Sequence, residues 1–308
     1  MKKLLLFLLV LTTKASWAQD CNLSYSTSDL AFQSVEGLKI AYQEETARRS
    51  PNTVIFLHGL GGNLTHWSQT KLSNTHVIRM DLPGYGYSDP IPSEIPSDQL
   101  LTFYAEKISQ FIEAKKLKNV LLVGHSMGGQ IAVHTALLYP EKIQKLALIA
   151  PAGLETFSEK EAAVLINYAQ PSFFKLQTEP QVRAGFLSNF YQFPASAEFL
   201  VADRMKLAQC SSFDSYFSTV AGGVKSMLNQ PIREKLGEMK QPTLVIFGRQ
   251  DALIPNKLFH PTLTTETVAQ ISSEIPTSQL ELIDGAGHLV MFEQAERVNK
   301  LLTIFIHK

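Results

Sequence analysis

Gly124-His125-Ser126-Met127-Gly128 is a G-x-S-x-G pentapeptide, and its flanks decide how the chain folds. Upstream, Asn119-Val120-Leu121-Leu122-Val123 is an apolar run of strand length. Downstream, residues 127–139 repeat apolar side chains at helical spacing until Pro140 stops them. Strand, tight turn and helix form the context in which such a serine stands exposed at the edge of a sheet. A glycine on each side lets the backbone enter a strained turn and leaves room for the neighbouring strand and helix.

Outward from this unit the same rhythm continues. Residues 37–43, 53–57, 76–80 and 145–149 read as further strands, and residues 97–116 as a helix with Leu100, Tyr104, Ile108, Phe111 and Ile112 on one face. After Gln241, residues 243–247 and 279–283 predict strands and residues 258–271 and 290–306 predict helices. Alternating strands and helices imply a mostly parallel central sheet flanked by helices, an α/β fold. Residues 151–240 break the rhythm. They carry helical segments punctuated by Pro171, Pro180, Pro194 and Gly222-Gly223, and nine of the chain's 18 Phe, among them Phe157, Phe173 and Phe174. This is the pattern of a helical insertion. Its aromatics are expected to divide between the insertion's own core and an apolar binding surface, with Phe157, Phe173 and Phe174 as candidate substrate contacts.

Composition bounds the function. The 308 residues are 45% hydrophobic and 18% charged, ordinary globular values, and the formal net charge of zero offers no basic footprint for nucleic acid. At the N-terminus, Lys2-Lys3 precedes an apolar run at residues 4–11, and Ser16-Trp17-Ala18 ends in small residues at the positions a signal peptidase reads. The expectation is a signal peptide at residues 1–18, export to the periplasm or medium, and no stable membrane span in the mature chain, because the run is far short of the ~18 residues of a spanning helix. Its removal deletes Lys2, Lys3 and Lys14, leaving 25 basic against 28 acidic side chains. Cys21 and Cys210 are the chain's two cysteines. In an oxidising compartment they can form one bridge or remain two unrelated thiols, and the sequence does not choose.

A serine hydroxyl needs a positioned base, and the base needs a partner that fixes its tautomer. Asp251, in Gly248-Arg249-Gln250-Asp251, and His288, in Gly285-Ala286-Gly287-His288, each follow a predicted strand at the C-terminal edge of the sheet, where open α/β folds place their ligands. Along the chain the three follow in the order serine, acid, histidine. After the strand at residues 53–57 comes His58-Gly59-Leu60-Gly61-Gly62. Its Leu60 amide, with the Met127 amide, is placed to donate to an oxyanion. His58 reads as a prop for that loop and His125 as packing beside the elbow. His66, His76, His134, His260 and His307 read as surface or satisfied core residues, and Asp81 and Asp284 as structural.

Together with Asp81-Leu82-Pro83-Gly84-Tyr85-Gly86-Tyr87-Ser88, these motifs resemble the α/β-hydrolase superfamily across nearly all of the chain after residue 18. Ser126-Met127-Gly128-Gly129-Gln130 and Ala150-Pro151-Ala152-Gly153-Leu154 are similar to its capped monoacylglycerol lipase and carboxylesterase branch. The resemblance implies an α/β-hydrolase fold with a helical cap after the sixth strand. The core would span residues 19–150 and 241–308, with the cap at 151–240. It also implies a catalytic triad of Ser126, Asp251 and His288. The expected activity is hydrolysis of small esters with apolar acyl chains, without metal or organic cofactor. Two alternatives remain. One is a carbon–carbon bond hydrolase of the same fold, which needs cationic groups such as Arg183 or Arg204 for an acidic substrate. The other is a non-catalytic binder of an apolar ligand.

Overall fold

The computed structural model describes residues 21–47 and 50–308, so the apolar run at residues 4–11 and the expected signal segment lie outside the described residues. Eight strands form one sheet: β1 (Ala31–Val35), β2 (Leu38–Glu45), β3 (Thr53–Leu57), β4 (His76–Met80), β5 (Val120–His125), β6 (Ile143–Ile149), β7 (Thr243–Gly248) and β8 (Ser278–Ile283). Their spatial order is β1-β2-β4-β3-β5-β6-β7-β8. β1 and β2 pair antiparallel, as do β2 and β4, and every other neighbouring pair is parallel. The composition explains the split. β3, β5 and β7 are buried at every position because helices cover both faces, whereas β1 alternates toward solvent and serves as an edge. β1 escaped the sequence reading because Ala31-Phe32-Gln33-Ser34 carries no apolar run. It joins β2 through a two-residue turn in which Glu36 and Gly37 both take positive φ, the geometry that matches a hairpin's twist.

Strand order also locates the site. β4 lies on one side of β3 and β5 on the other, so the loops leaving the C-terminal ends of β3 and β5 diverge there and open a crevice between them. Helix α2 (Met127–Leu138) starts immediately after β5 and lies close against both strands. A Cβ on Gly124 would come within 2.2 Å of the Gly128 carbonyl oxygen, and one on Gly128 within 2.4 Å of that of Leu57. The glycines therefore supply clearance. The left-handed strain falls on Ser126 itself, at φ 53° and ψ −118°, and the Ser126 N–H is tied to the Ile149 carbonyl at 2.9 Å.

Helix α1 (Leu100–Ala114) packs beside α2. Between β6 and β7 come five helices: α3 (Glu159–Tyr168), α4 (Pro171–Lys175), α5 (Glu179–Leu187), α6 (Glu198–Gln209) and α7 (Tyr216–Asn229). This is the cap after the sixth strand. Two helices differ from the sequence expectation. Pro261 and the irregular backbone before it confine the helix foreseen at 258–271 to α8 (Thr265–Gln270). The C-terminal helix is cut into α9 (Val290–Glu293) and α10 (Ala295–His307) at Gln294, whose side-chain amide donates to the Gly285 carbonyl at 3.2 Å. Cys21 and Cys210 are bridged.

Clearance at the elbow is a matter of rigid backbone, whereas Gly185 within α5 has nothing within 4 Å of a Cβ position. Gly128→Ala should therefore lower stability by about 3 kcal/mol or more. Gly185→Ala should raise it by about 0.5–1 kcal/mol through helix propensity. Urea unfolding midpoints of the two variants check the pair.

Three buried ionisable groups cluster under the crevice. Desolvation depresses His58 to about 4 and His66 to about 3, and raises Asp81 to about 6. Below the unfolded histidine value of about 6.5, the unfolded chain takes protons that folded His58 and His66 refuse, so each loses about 1.4 kcal/mol of stability per pH unit. Asp81 acts oppositely. Its folded carboxyl binds a proton first, so its contribution is full below about pH 4 and lost as the pH rises through about 6. From about pH 7 to about pH 5 the three should together cost about 2 kcal/mol, and His66→Phe should reduce the acid-induced loss by about 2 kcal/mol in paired denaturant titrations.

Candidate active site

The strained Ser126 turn places its half-buried side chain at the mouth of the crevice, where it lines a cavity of about 500 Å³. The β3 loop lies directly alongside. A Cβ on Gly59 would stand 3.2 Å from the Ser126 Cβ. His58 holds this loop from inside: its Nε2 accepts from the Leu82 N–H at 3.1 Å, so its Nδ1 carries the proton and donates to the Gly59 carbonyl at 2.8 Å. Burial keeps this imidazole neutral. The loop closes through Gly62 N–H to the Gly59 carbonyl at 3.1 Å. The Leu60 and Met127 amides have no turn or loop acceptor among the described residues. Two such donors beside a serine hydroxyl are an arrangement that could hold an anionic oxygen.

Asp251 and His288 arrive from β7 and β8. One Asp251 carboxylate oxygen accepts from the Leu253 and Ile254 amides at 2.8 and 3.0 Å, and the other meets His288 Nδ1 at 2.8 Å. A carboxylate so fixed accepts from Nδ1–H and leaves Nε2 as the basic nitrogen. Both side chains are buried, and His288 lines the same cavity as Ser126. Ser126 Oγ makes no hydrogen bond among the described residues, an open arrangement usual before substrate binds. The loop bearing His288 is pinned at several points. Gln250 Oε1 accepts from the Gly285 and Ala286 amides at 2.9 and 3.2 Å, Glu293 accepts from the Gly287 amide at 2.7 Å, and His125 Nε2–H donates to the His288 carbonyl at 3.0 Å. His125 thus tethers the base's backbone as well as packing beside the elbow. Its imidazole is held well below the usual histidine range, first by burial and then by His288 and His66.

Cap and loop residues complete the cavity. Leu165, Phe174, Val182, Phe186 and Leu253 make an apolar arm, and Phe157 lines it as expected. Phe173 does not: it is 54% exposed, because α4 turns Phe174 inward and its neighbour outward. His66, read from sequence as a surface or satisfied core residue, is instead a buried cavity-lining group whose Nδ1 has no partner. Arg183 is spent on Glu179 and Glu198 at the surface, whereas Arg204 lines the cavity. Its guanidinium lies over the Tyr216 ring at 5.2 Å, and its buried Nη1 has no hydrogen-bond partner among the described residues. At the far end, Glu155 accepts from the Asn256 amide and from His260. Asp284 pairs with Arg249 at 2.6 Å on the surface, and Asp81 is a buried structural acceptor. Sequence reading missed Gln250, although it lies inside a quoted motif. It also missed Glu155, Tyr216 and Glu293, which reach the site from elements far apart in the chain. Among the described residues no group of three His, Cys, Asp or Glu is arranged to hold a metal ion, and no helix is long and apolar enough to cross a membrane.

Known proteins agree with this architecture. The chain is 26% identical over 83% of its length to the dihydrolipoyllysine-residue acetyltransferase component of the acetoin cleaving system of Pseudomonas putida, spanning 63% of that protein. It is 26% identical over 82% to a 2-hydroxy-6-oxononadienedioate/2-hydroxy-6-oxononatrienedioate hydrolase of Cupriavidus pinatubonensis, covering 86% of it. It is 25% identical over 82% to monoacylglycerol lipase ABHD6 of Bos taurus, covering 75% of that chain. A probable hydrolytic enzyme of Pseudomonas aeruginosa PAO1 superimposes with a TM-score of 0.77 at 20% identity, covering 89% of this chain and 92% of its own. With the alpha/beta hydrolase fold family matching residues 52–295, the strained serine, the sheet order and the cap have one common account: the chain belongs to the α/β-hydrolase family.

Proposed function

We propose that this hydrolase cleaves carboxylic esters of apolar acyl chains, monoacylglycerols among them, through an acyl-enzyme on Ser126. The observation that carries the reading is the Asp251–His288 pair at 2.8 Å, opening onto the cavity that Ser126 shares. His288 Nε2 takes the Ser126 proton as Oγ attacks the carbonyl carbon. The oxyanion forms against the Leu60 and Met127 amides, each worth roughly 3–4 kcal/mol in the transition state. His288 then gives its proton to the leaving alcohol. Water, deprotonated by His288, releases the acid. Phe157, Phe174 and the apolar arm would hold the acyl chain, and the similarity to a monoacylglycerol lipase supports an ester substrate. The chain would work after export, in the periplasm or medium, with residues 1–18 removed.

Arg204 favours a second reading. Its buried Nη1 has no partner among the described residues, and an anionic substrate group would satisfy that donor. That fits a carbon–carbon bond hydrolase of acidic substrates, the activity named for the Cupriavidus relative.

Ser126→Ala should abolish p-nitrophenyl butyrate hydrolysis while leaving the circular dichroism spectrum unchanged. Asp251→Asn should lower kcat by roughly 10³–10⁴ by losing the tautomer. Hydrolysis surviving in Ser126→Ala would overturn the reading, and failure of a fluorophosphonate to label Ser126 in the folded protein would favour a binder. Arg204→Met separates the two hydrolytic readings. If acidic substrates are native, the preference for a p-nitrophenyl hemi-ester of glutaric acid over the butyrate should fall by about tenfold or more, since a lost charged contact is worth about 1.5–3 kcal/mol. An unchanged kcat/KM ratio selects the neutral ester.

A further inference from the structure

The loop that carries Leu60 is held from the cap side by one hydroxyl. Tyr216 Oη, at the first residue of α7, donates to the Gly61 carbonyl at 2.5 Å. Gly61 stands at φ +68°, and a Cβ there would come within 3.0 Å of Arg204 Nη2 and 3.3 Å of Tyr216 Oη. The loop is thus clamped between His58 below, through Gly59, and Tyr216 above, through Gly61. With both ends of the Gly59–Gly61 segment fixed, the direction of the Leu60 N–H between them is fixed too.

Tyr216 packs on Tyr85 and Arg204, and the corner that precedes it in the chain is fastened by the segment at residues 21–25. Cys21 is bridged to Cys210, the residue that ends α6 and lies six positions before Tyr216. The same segment is bonded along the length of α6. The Ser24 amide and hydroxyl both donate to the Asp203 carboxylate, at 2.8 and 2.6 Å, and Lys206 Nζ donates to the Asn22 carbonyl at 2.6 Å. On its other side it is fastened to the core. The Leu23 amide donates to Tyr87 Oη at 2.9 Å, and Tyr25 Oη donates to Asp81 at 2.7 Å. Asp81 in turn accepts from the Leu64 amide at 2.8 Å, just beyond the same loop. The segment therefore works as a strap that ties the α6–α7 corner to the floor of the site, and the disulfide closes it across 189 residues of chain.

We propose that Tyr216 is a positioning residue for the oxyanion loop, and that the disulfide-closed strap at residues 21–25 holds it there, so that turnover depends on the redox state of Cys21 and Cys210. The proposal rests on the ester-hydrolase reading, in which Leu60 donates to the oxyanion. Tyr216 touches no reacting atom. It acts on the transition state through Gly61 and Leu60, so its loss should appear in kcat and leave ground-state binding of an apolar ester alone.

The test uses the exported, oxidised protein with p-nitrophenyl butyrate as substrate and a trifluoromethyl ketone of the same chain length as tetrahedral mimic. Tyr216→Phe removes one oxygen and keeps the ring. It should lower kcat about tenfold with KM within about twofold, and weaken the ketone by a similar factor, since a misdirected donor costs less than an absent one. The Cys21→Ser/Cys210→Ser variant should show the same split, and adding Tyr216→Phe to it should lower kcat no further. Reducing the folded wild type with dithiothreitol and reoxidising it should lose and regain the same factor, which gives the answer even where a cysteine variant fails to fold. Unchanged kcat and ketone affinity in Tyr216→Phe would overturn the positioning role, and so would a rise in KM alone. Independent, multiplicative losses, or full activity after reduction, would overturn the link to the strap. A wild type that neither hydrolyses the ester nor reacts with a fluorophosphonate would instead sink the underlying functional reading.

Discussion

The structure depends on a contact with no side chain in it. Helix α2 begins so close to β3 and β5 that the Gly128 position faces the Leu57 and His58 carbonyls and the Gly124 position faces the Gly128 carbonyl. Everything at the site is referenced to that approach. It forces Ser126 into a left-handed conformation, brings the loop after β3 against the serine, and aims the first amide of α2 at the space between them. Strain of this kind costs about 1–3 kcal/mol and persists only where surrounding packing over-determines it. Here the packing is the fully buried β3 and β5 with the buried residues 146–149 of β6 at the centre of the sheet.

That contact is also why so much could be read from the chain. Parallel strands buried on both faces leave continuous apolar runs, and a backbone-to-backbone approach leaves obligatory glycines, so β3, β5, β7 and the elbow carry local signals. Asp251 was legible for a related reason, since it follows the fully buried β7, and His288 because it follows β8, whose Leu280, Leu282 and Ile283 mark a strand ending at the same edge. The alternating, half-exposed β1 left no comparable mark. Nor did the residues that tune the site. Tyr216, Gln250 and Glu293 act through bonds to residues whose neighbourhood exists only after folding, and no spacing along the chain encodes a hydroxyl from α7 meeting a carbonyl after β3. His66 was misread because an isolated histidine gives no hint of which face of its turn points inward. The disulfide was undecided because two cysteines 189 residues apart fix nothing until both ends are placed.

Charge is distributed in the cavity with some economy. His58, His66 and His125 are all held neutral by burial, so the imidazoles crowding the serine add no fixed positive charge. Under the proposed mechanism neutrality matters, because there His288 accepts a proton among them and cationic neighbours would resist it. Arg204 is then a fixed positive charge beside the loop after β3. Lodged against the Tyr216 and Phe217 rings, it retains part of its stabilisation through their faces. A guanidinium held this way favours negative charge in the site from either source: an oxyanion developing on the loop, or an acid group on the substrate. The choice between the two hydrolytic readings reduces to which of these Arg204 serves.

The cap is two structures energetically. In α3 and α4 no residue is fully buried, and α5 buries Val182 alone. By contrast α6 buries four residues and α7 seven. Few buried contacts mean a low free energy of local opening. The strap fastens α6, and Ser226 of α7 accepts from the Leu101 amide of α1. Opening the cavity to a bulky apolar chain therefore costs least by displacing α3–α5, whose inner faces supply Leu165, Phe174, Val182 and Phe186. The corner that holds Gly61 can stay in place throughout. If the chain acts as proposed, substrate would enter past α3–α5 while α6 and α7 hold the loop after β3, so the first can loosen without disturbing the second.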